Sequence, residues 1–226
     1  MTNDMSCENR VVAIFFKVEA LLRFLSHQET SRLLRRAIAR AGINLKYSEG
    51  FNPHPKMSLP LPRSVALASE CELVLVGIAP AEEKSQTKDE DISRMLSTQL
   101  PKGMSIVDVK MFDKKVKFEP KKISYFIPLD MKDPAIKNNI LEAEKNLKAS
   151  NEMIIERKNF KTGKKKKINL TGFIEDMSLE QEGVVLKVLM EEGTTIKLDE
   201  LPMVFGITSD ELGQAIVRKE IEWEIK

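Results

Sequence analysis

Val11-Val12-Ala13-Ile14-Phe15-Phe16-Lys17-Val18-Glu19, followed by Ser26-His27-Gln28-Glu29 and then Leu33, Leu34, Ala37, Ile38 and Ala41 up to Gly42, is the passage on which the fold reading turns. Its first part is rich in β-branched and aromatic residues and hardly alternates, the pattern of a strand buried on both faces. The second part opens with a capping-box signature, Ser26 with Glu29 three residues on. Its apolar residues then recur at helical spacing until glycine stops the pattern. At about 100° per residue, Arg32, Arg36 and Arg40 fall opposite the apolar stripe, with Arg35 beside them. The helix is expected to carry one apolar and one cationic face.

Reading outward, Ile43 to Ser48 is a short strand. Met57, Leu59 and Leu61 alternate with Ser58, Pro60 and Pro62 as an extended edge segment, because proline cannot donate to a central ladder. Glu72 to Ile78 reads as a strand, Asp89 to Leu100 as a helix closed by Pro101 and Gly103, and Met104 to Met111 as a strand. This β-α-β-β-α-β order is the split βαβ pattern. Lys110 to Lys122, with six lysines against Asp113 and Glu119 and little periodicity, reads as a linker. The pattern then restarts: a strand at Ile123 to Leu129, a helix at Ala135 to Ala149, strands at Met153 to Lys158, Ile168 to Ile174 and Val184 to Met190, a short helix at Asp199 to Phe205, and a last strand at Ile216 to Ile225. The expected architecture is α+β: two tandem ferredoxin-like (βαββαβ) modules with antiparallel sheets, at 11–112 and 123–226, joined by 113–122. No residue-level repeat accompanies this duplication of pattern.

A chain of 226 residues can bury a substantial core in either one large domain or two small ones. Its 36 basic and 34 acidic side chains nearly cancel, so the distribution carries the information. Between Arg23 and Arg63 eight basic residues face only Glu29 and Glu49, a local charge of +6, whereas Ser64 to Val109 holds four basic residues against eight carboxylates. Cys7 and Cys71 provide neither a disulfide framework nor metal-ligand spacing, which fits a reducing cytoplasm; no zinc or iron–sulfur site and no other cofactor is expected. Val11 to Phe16 is far shorter than the roughly 20 residues of a membrane span, so a soluble protein without membrane partners is expected.

Positive charge is concentrated around the most unusual segment, Tyr47-Ser48-Glu49-Gly50-Phe51-Asn52-Pro53-His54-Pro55-Lys56. Prolines that fix φ and a glycine that opens otherwise avoided conformations should hold it in one rigid shape, and rigid exposed loops are where sites are built. This run, together with Arg23-Phe24-Leu25-Ser26-His27, Arg32, Ala37 and Arg40-Ala41-Gly42, resembles an uncharacterised bacterial family of radical SAM-linked proteins. The resemblance extends from about Arg23 to Ile78. Glu29 and Asn169 stand where that family carries aspartate, and Ser64 lies where it has a nearby glycine. It implies a radical SAM protein as partner, encoded beside or fused to such chains. This chain lacks the closely spaced cysteines of a radical SAM cluster and is not itself that enzyme.

Three functions follow. In the first, an RNA-binding accessory protein, Arg32, Arg36, Arg40 and Lys56 contact phosphates, Tyr47 and Phe51 stack on unpaired bases of tRNA or rRNA, and Asn52 and His54 read a base edge. Gly50, Pro53 and Pro55 shape the loop, while Arg23 and Ser48 complete the candidate surface. In the second, the same loop docks on the radical SAM protein. The third is an RNA-processing or modifying enzyme with His54 or His27 as general acid or base. His27 also fits a buried imidazole near the helix cap, and the arginine face fits a solvated helix surface. No catalytic motif is present, and no metal site is expected. A second cationic cluster, Lys161, Lys164, Lys165, Lys166 and Lys167 with Arg157 and Lys158, reads as a hairpin that either clamps a nucleic-acid backbone or guards an edge.

Overall fold

The apolar run beginning at Val11 forms a central strand because both of its faces find partners. The computed structural model describes residues 10–79, 88–149, 151–158, 163, 165–191, 193–212 and 215–226. Within it, β1 (Val11–Val18) lies antiparallel between β3 (Ala68–Gly77) and β4 (Met104–Phe112). Val12, Ile14, Phe16 and Val18 bury with Leu34, Ala37 and Ile38 of α1 (His27–Arg40) and with Ile92 and Leu96 of α2 (Asp89–Ser97). Ala13 and Phe15 point to the other face, into a cluster with Leu73, Phe112, Phe118 and Trp223. There Phe118 meets the rings of Phe15, Phe112 and Trp223 edge-on, at 6.2, 5.9 and 6.1 Å between centroids.

The cap of α1 forms as its sequence predicts. The Ser26 N–H donates to Glu29 Oε2 at 2.8 Å and the Glu29 N–H donates to Ser26 Oγ at 3.3 Å. The Ser26 backbone donor, followed by its side chain, holds the Glu29 carboxyl below its ordinary range. The helix ends at Arg40, and Gly42 takes the left-handed φ of +71° that turns the chain away.

The chain divides into two compact units, Met1–Pro120 with Trp223–Lys226, and Lys121–Glu222. In the first, β2 (Met57–Ser58) pairs with β3 at Val76 and Leu75. In the second, β9 (Gly183–Leu189) lies antiparallel between β5 (Phe118–Pro128) and β8 (Ile174–Glu180). The helix α3 (Pro134–Lys148) starts on Asp133, whose Oδ1 accepts the Ala135 N–H at 2.8 Å, and buries Ile136, Ile140 and Ala143. β6 (Ile154–Lys158) and β7 (Lys165–Asn169) pair only with each other.

Two discrete ferredoxin-like modules are not what forms. The strands make one mixed eight-stranded sheet in the order β4-β1-β3-β10-β5-β9-β8, with β2 on β3 and β10 being Val217–Ile225, plus the small β6–β7 sheet. Element order does not determine which strand pairs with which. The short helix expected at Asp199 to Phe205 forms, as a 3₁₀ turn over Leu198–Glu200 that runs into α4 (Leu201–Phe205) and ends at Gly206 in the left-handed region. Two local causes defeat the modular reading. β7 begins Lys-Lys-Lys and offers no apolar alternation with which to join the large sheet. β2 spans two residues because Pro53, Pro55, Pro60 and Pro62 remove ladder donors around it. β5 also begins at Phe118, within the segment 113–122 read as a linker.

Among the described residues no helix is long and apolar enough to cross a membrane. No group of three or more His, Cys, Asp or Glu among them is placed to hold a metal ion. Cys7, Lys161 and Lys164 lie outside the described residues.

Candidate functional site

The unusual segment folds as a hairpin whose shape comes from hydrogen bonds as much as from its prolines. At its base three backbone bonds close a cycle: the Lys46 N–H donates to Gly77 O at 2.8 Å, the Gly77 N–H to Lys56 O at 2.7 Å, and the Lys56 N–H to Lys46 O at 2.7 Å. Leu45, 6% exposed, pairs with Ile78 and roots the first arm in the core. Gly77 sits where the backbones approach closely. A Cβ on it would stand 3.1 Å from Lys56 Cβ and 3.5 Å from Lys46 Cβ, so a larger residue would push the arms apart by a few tenths of an ångström.

Farther out Tyr47 opposes Pro55, the Ser48 N–H donates to His54 O at 2.8 Å, and the His54 N–H donates to Ser48 Oγ at 2.9 Å. Ser48 is thus consumed in shaping the loop. Both main-chain polar groups of His54 are engaged while the residue itself is exposed. Gly50 adopts a φ of +116°, open only to glycine at low cost, and carries the chain over the tip. Phe51 there is 112% exposed, more open than in an extended peptide, and Tyr47 is 50% exposed. Asn52 and Lys56 are exposed on the same hairpin.

The cationic helix face is divided by use. Arg32, Arg35 and Arg36 are exposed. Arg40 is turned to α2, where its Nη2 donates to Gln99 O at 2.8 Å and its Nε to Gln99 Oε1 at 3.3 Å, tying together the C-terminal ends of the two helices. By the helical rise, Arg32 and Arg36 lie about 6 Å apart along the axis, and Arg36 is about 6 Å from Arg40, where the chain leaves for the hairpin.

Arg23 and His27 are not brought to the hairpin. The hairpin stands on Gly77, whereas β1 pairs Val18 with Ser69 at the other end of β3, about 26 Å away along the strand, and the segment Ala20–Phe24 follows directly from Val18. Arg23 places its Cζ 4.7 Å above the Phe24 ring, and His27 is the half-buried first residue of α1.

Sequence reading counted Arg63 only as charge, yet it organises this second corner. It is 5% exposed; its Nη1 donates to Arg23 O and Leu67 O, each at 2.6 Å, and its Nη2 donates to Leu25 O at 2.9 Å. Leu67 O and Leu25 O belong to segments 42 residues apart in sequence, which the planar fork of one guanidinium gathers. Its position after Pro60 and Pro62, amid apolar neighbours, was the available signal. Ala20 and Ala66, the two non-glycine residues at positive φ among those described (+51° and +70°), flank this corner. The two positions that depart from the family's aspartates are structural. Glu29 caps α1, and Asn169 Oδ1 accepts from Met153 N and Thr171 N, each at 3.1 Å.

Residues 11–198 match the profile of a family described as "Uncharacterized protein conserved in bacteria (DUF2344)", and the chain belongs to that family. No curated protein matches the chain.

Proposed function

We propose that this member of the family is an RNA-binding accessory protein that receives tRNA or rRNA on the hairpin Lys46–Lys56 and the outer face of α1. The observation that carries the reading is Phe51, an aromatic ring held wholly in solvent at the tip of a hairpin whose backbone is hydrogen-bonded into one shape. A phenyl group that buries nothing contributes nothing to folding, whereas an unpaired base stacking on it is worth about 1–3 kcal/mol. Tyr47 supplies a second platform on the same hairpin, and Asn52 and the His54 imidazole supply hydrogen-bonding edges beside it. Arg32, Arg36 and Lys56 neutralise phosphates, while Arg40 keeps the end of α1 in place through Gln99.

The test is a titration of fluorescent single-stranded RNA at several salt concentrations. Three phosphate contacts give a slope of log K against log salt of about −2. A slope near zero, or no binding at low salt, overturns the reading.

A second reading, docking on a protein partner, rests on the other corner. Leu21 (81% exposed) and Phe24 (49%) lie three apart on a 3₁₀ turn, and so on one side of it. Val65 (55%) neighbours Ala66, whose N–H donates to Arg23 O at 3.0 Å. Large apolar side chains on a strained, arginine-braced frame fit a protein contact better than a solvated turn. The radical SAM protein implied by the motif resemblance is the partner this reading assigns, and a pull-down with Leu21→Glu against the parent chain checks it. Undiminished capture by the variant refutes it.

A further inference from the structure

The second unit holds a cleft of about 510 Å³ that neither the hairpin nor the α1 face touches. Its volume falls within the range of small-molecule sites, roughly 300–1,000 Å³. The accessible apolar surface comes from Leu147 of α3 with Met153 and Met203, over the buried Ala143, Val204 and Phe205. The rim is polar, with carboxylates and carboxamides. Asn139 Nδ2 donates to Gly206 O at 2.9 Å, which leaves Asn139 Oδ1 as an acceptor. Asn151 Nδ2 donates to Asn146 Oδ1 at 3.1 Å, which leaves Asn151 Oδ1 as a second acceptor, and Thr171 Oγ1 fixes that segment by donating to Asn151 O at 2.8 Å. Glu142 and Glu152 complete the rim, exposed and in no ion pair among the described residues. No Lys, Arg or His is among the described residues that line it.

We propose that this cleft binds a small organic ammonium compound, its charged nitrogen held by Glu142, Glu152 and the two carboxamide oxygens and its alkyl portion lying over Leu147 and Met153. An acceptor-rich, cation-free rim repels phosphates and carboxylates and satisfies the three donors of an ammonium group. The apolar floor excludes a bare metal ion as the natural occupant and selects a ligand with hydrocarbon beside its charge. Met203, 54% exposed at the margin, is the adaptable side chain that would close over such a chain. The site uses none of the residues assigned to RNA, so either reading stands or falls without the other.

The full-length chain is titrated with spermidine, with 1,8-octanediol as an uncharged chain and with inorganic phosphate, followed by amide NMR shifts and calorimetry. The expected result is saturable binding of spermidine that shifts the side-chain amides of Asn139, Asn146 and Asn151, with no saturable binding of the diol or phosphate. Glu142→Gln and Glu152→Gln, both at exposed positions, each weaken spermidine about tenfold, the loss of one charge-assisted hydrogen bond, with the unfolding midpoint unchanged. Spermidine binding that leaves those amides unmoved, equal binding of the diol, or unchanged affinity in both variants overturns the proposal.

Discussion

Replacing Phe51 by alanine separates the role of the hairpin from its stability. The ring is 112% exposed, so truncation uncovers no core, creates no cavity and breaks no hydrogen bond of the hairpin, whose closure runs through Lys46, Ser48, His54 and Lys56. The cost to folding is therefore within about 0.5 kcal/mol, the range of surface substitutions away from special features. The cost to RNA binding is that of one lost stacking platform, about 1–3 kcal/mol, which is about 5- to 150-fold in Kd. Fluorescence anisotropy with a labelled single-stranded RNA reads the second quantity and urea unfolding the first. Phe51→Trp keeps a π-face at the same point and should bind at least as tightly as the parent, whereas Phe51→Leu, of similar hydrophobicity, should behave like the alanine variant. Because stacking leaves the phosphate contacts in place, the salt slope should stay near its parental value while the whole line drops. An alanine variant with parental affinity, or a leucine variant that restores it, would refute the assignment of Phe51 as a stacking platform.

Gly77→Val should widen the hairpin base, since its Cβ would meet Lys56 Cβ at 3.1 Å; the expected outcome is about 1–3 kcal/mol of lost stability together with weakened RNA binding, both absent for Gly172→Ala, whose Cβ meets no atom within 4 Å and whose φ is not positive. Arg63→Met should lower unfolding stability by about 3–5 kcal/mol because carbonyls of Arg23, Leu25 and Leu67 lose a buried charged donor, and a change below about 1 kcal/mol by denaturant titration contradicts the bracing role. Glu119 is held down to about 2 by hydrogen bonds from Lys117 and then Lys226, against an ordinary value of 4.5. A carboxyl depressed on folding contributes stability above its ordinary value that is lost as pH falls from 4.5 toward 2. Glu119→Gln should therefore flatten the acid limb of a pH–stability curve in that window and leave its neutral limb parallel to the parent's; an unchanged acid limb refutes the coupling.

The sequence revealed most where local chemistry alone determines the outcome. The Ser26–Glu29 cap depends on residues three apart, and β1, α1, β3, α2 and β4 arise from patterns that need no distant partner to be recognised. Sheet assembly was not legible for the opposite reason. Strand pairing is decided by which edges compete, and composition does not record that Lys117 and Lys226 exchange backbone hydrogen bonds at 2.9 Å across 109 positions. The lysines between Phe112 and Phe118 suggest a spacer, yet Val116, 7% exposed, and Phe118, 4% exposed, bury in the aromatic cluster of the first unit. Two apolar residues among charges are too short a pattern to outweigh the run around them.

At the candidate site the same division holds, and it changes the chemical picture. The segment was legible as a rigid exposed loop because glycine and proline impose conformation locally, but its hairpin closure was not, and the strand expected at Ile43 to Ser48 is reduced to isolated bridges at Leu45 and Tyr47. The motif that carries the family resemblance, however, is continuous only along the chain. Arg23 and His27 begin it at the Ser69 end of β3, and Tyr47 to Lys56 end it at the Gly77 end. One ligand-binding face would need these two groups together, and a helix of 14 residues separates them by about 20 Å. Arg23 and Arg63 lie in the corner that presents Leu21, Phe24 and Val65, with His27 at the start of α1, whereas Arg36 and Arg40 lie toward the hairpin end of that helix and Arg32 lies between. On the two proposed readings, an RNA on the hairpin and a protein on the Leu21 corner would occupy opposite ends of one strand, so binding of either should leave the affinity for the other unchanged, and competition between them would refute the pair of assignments.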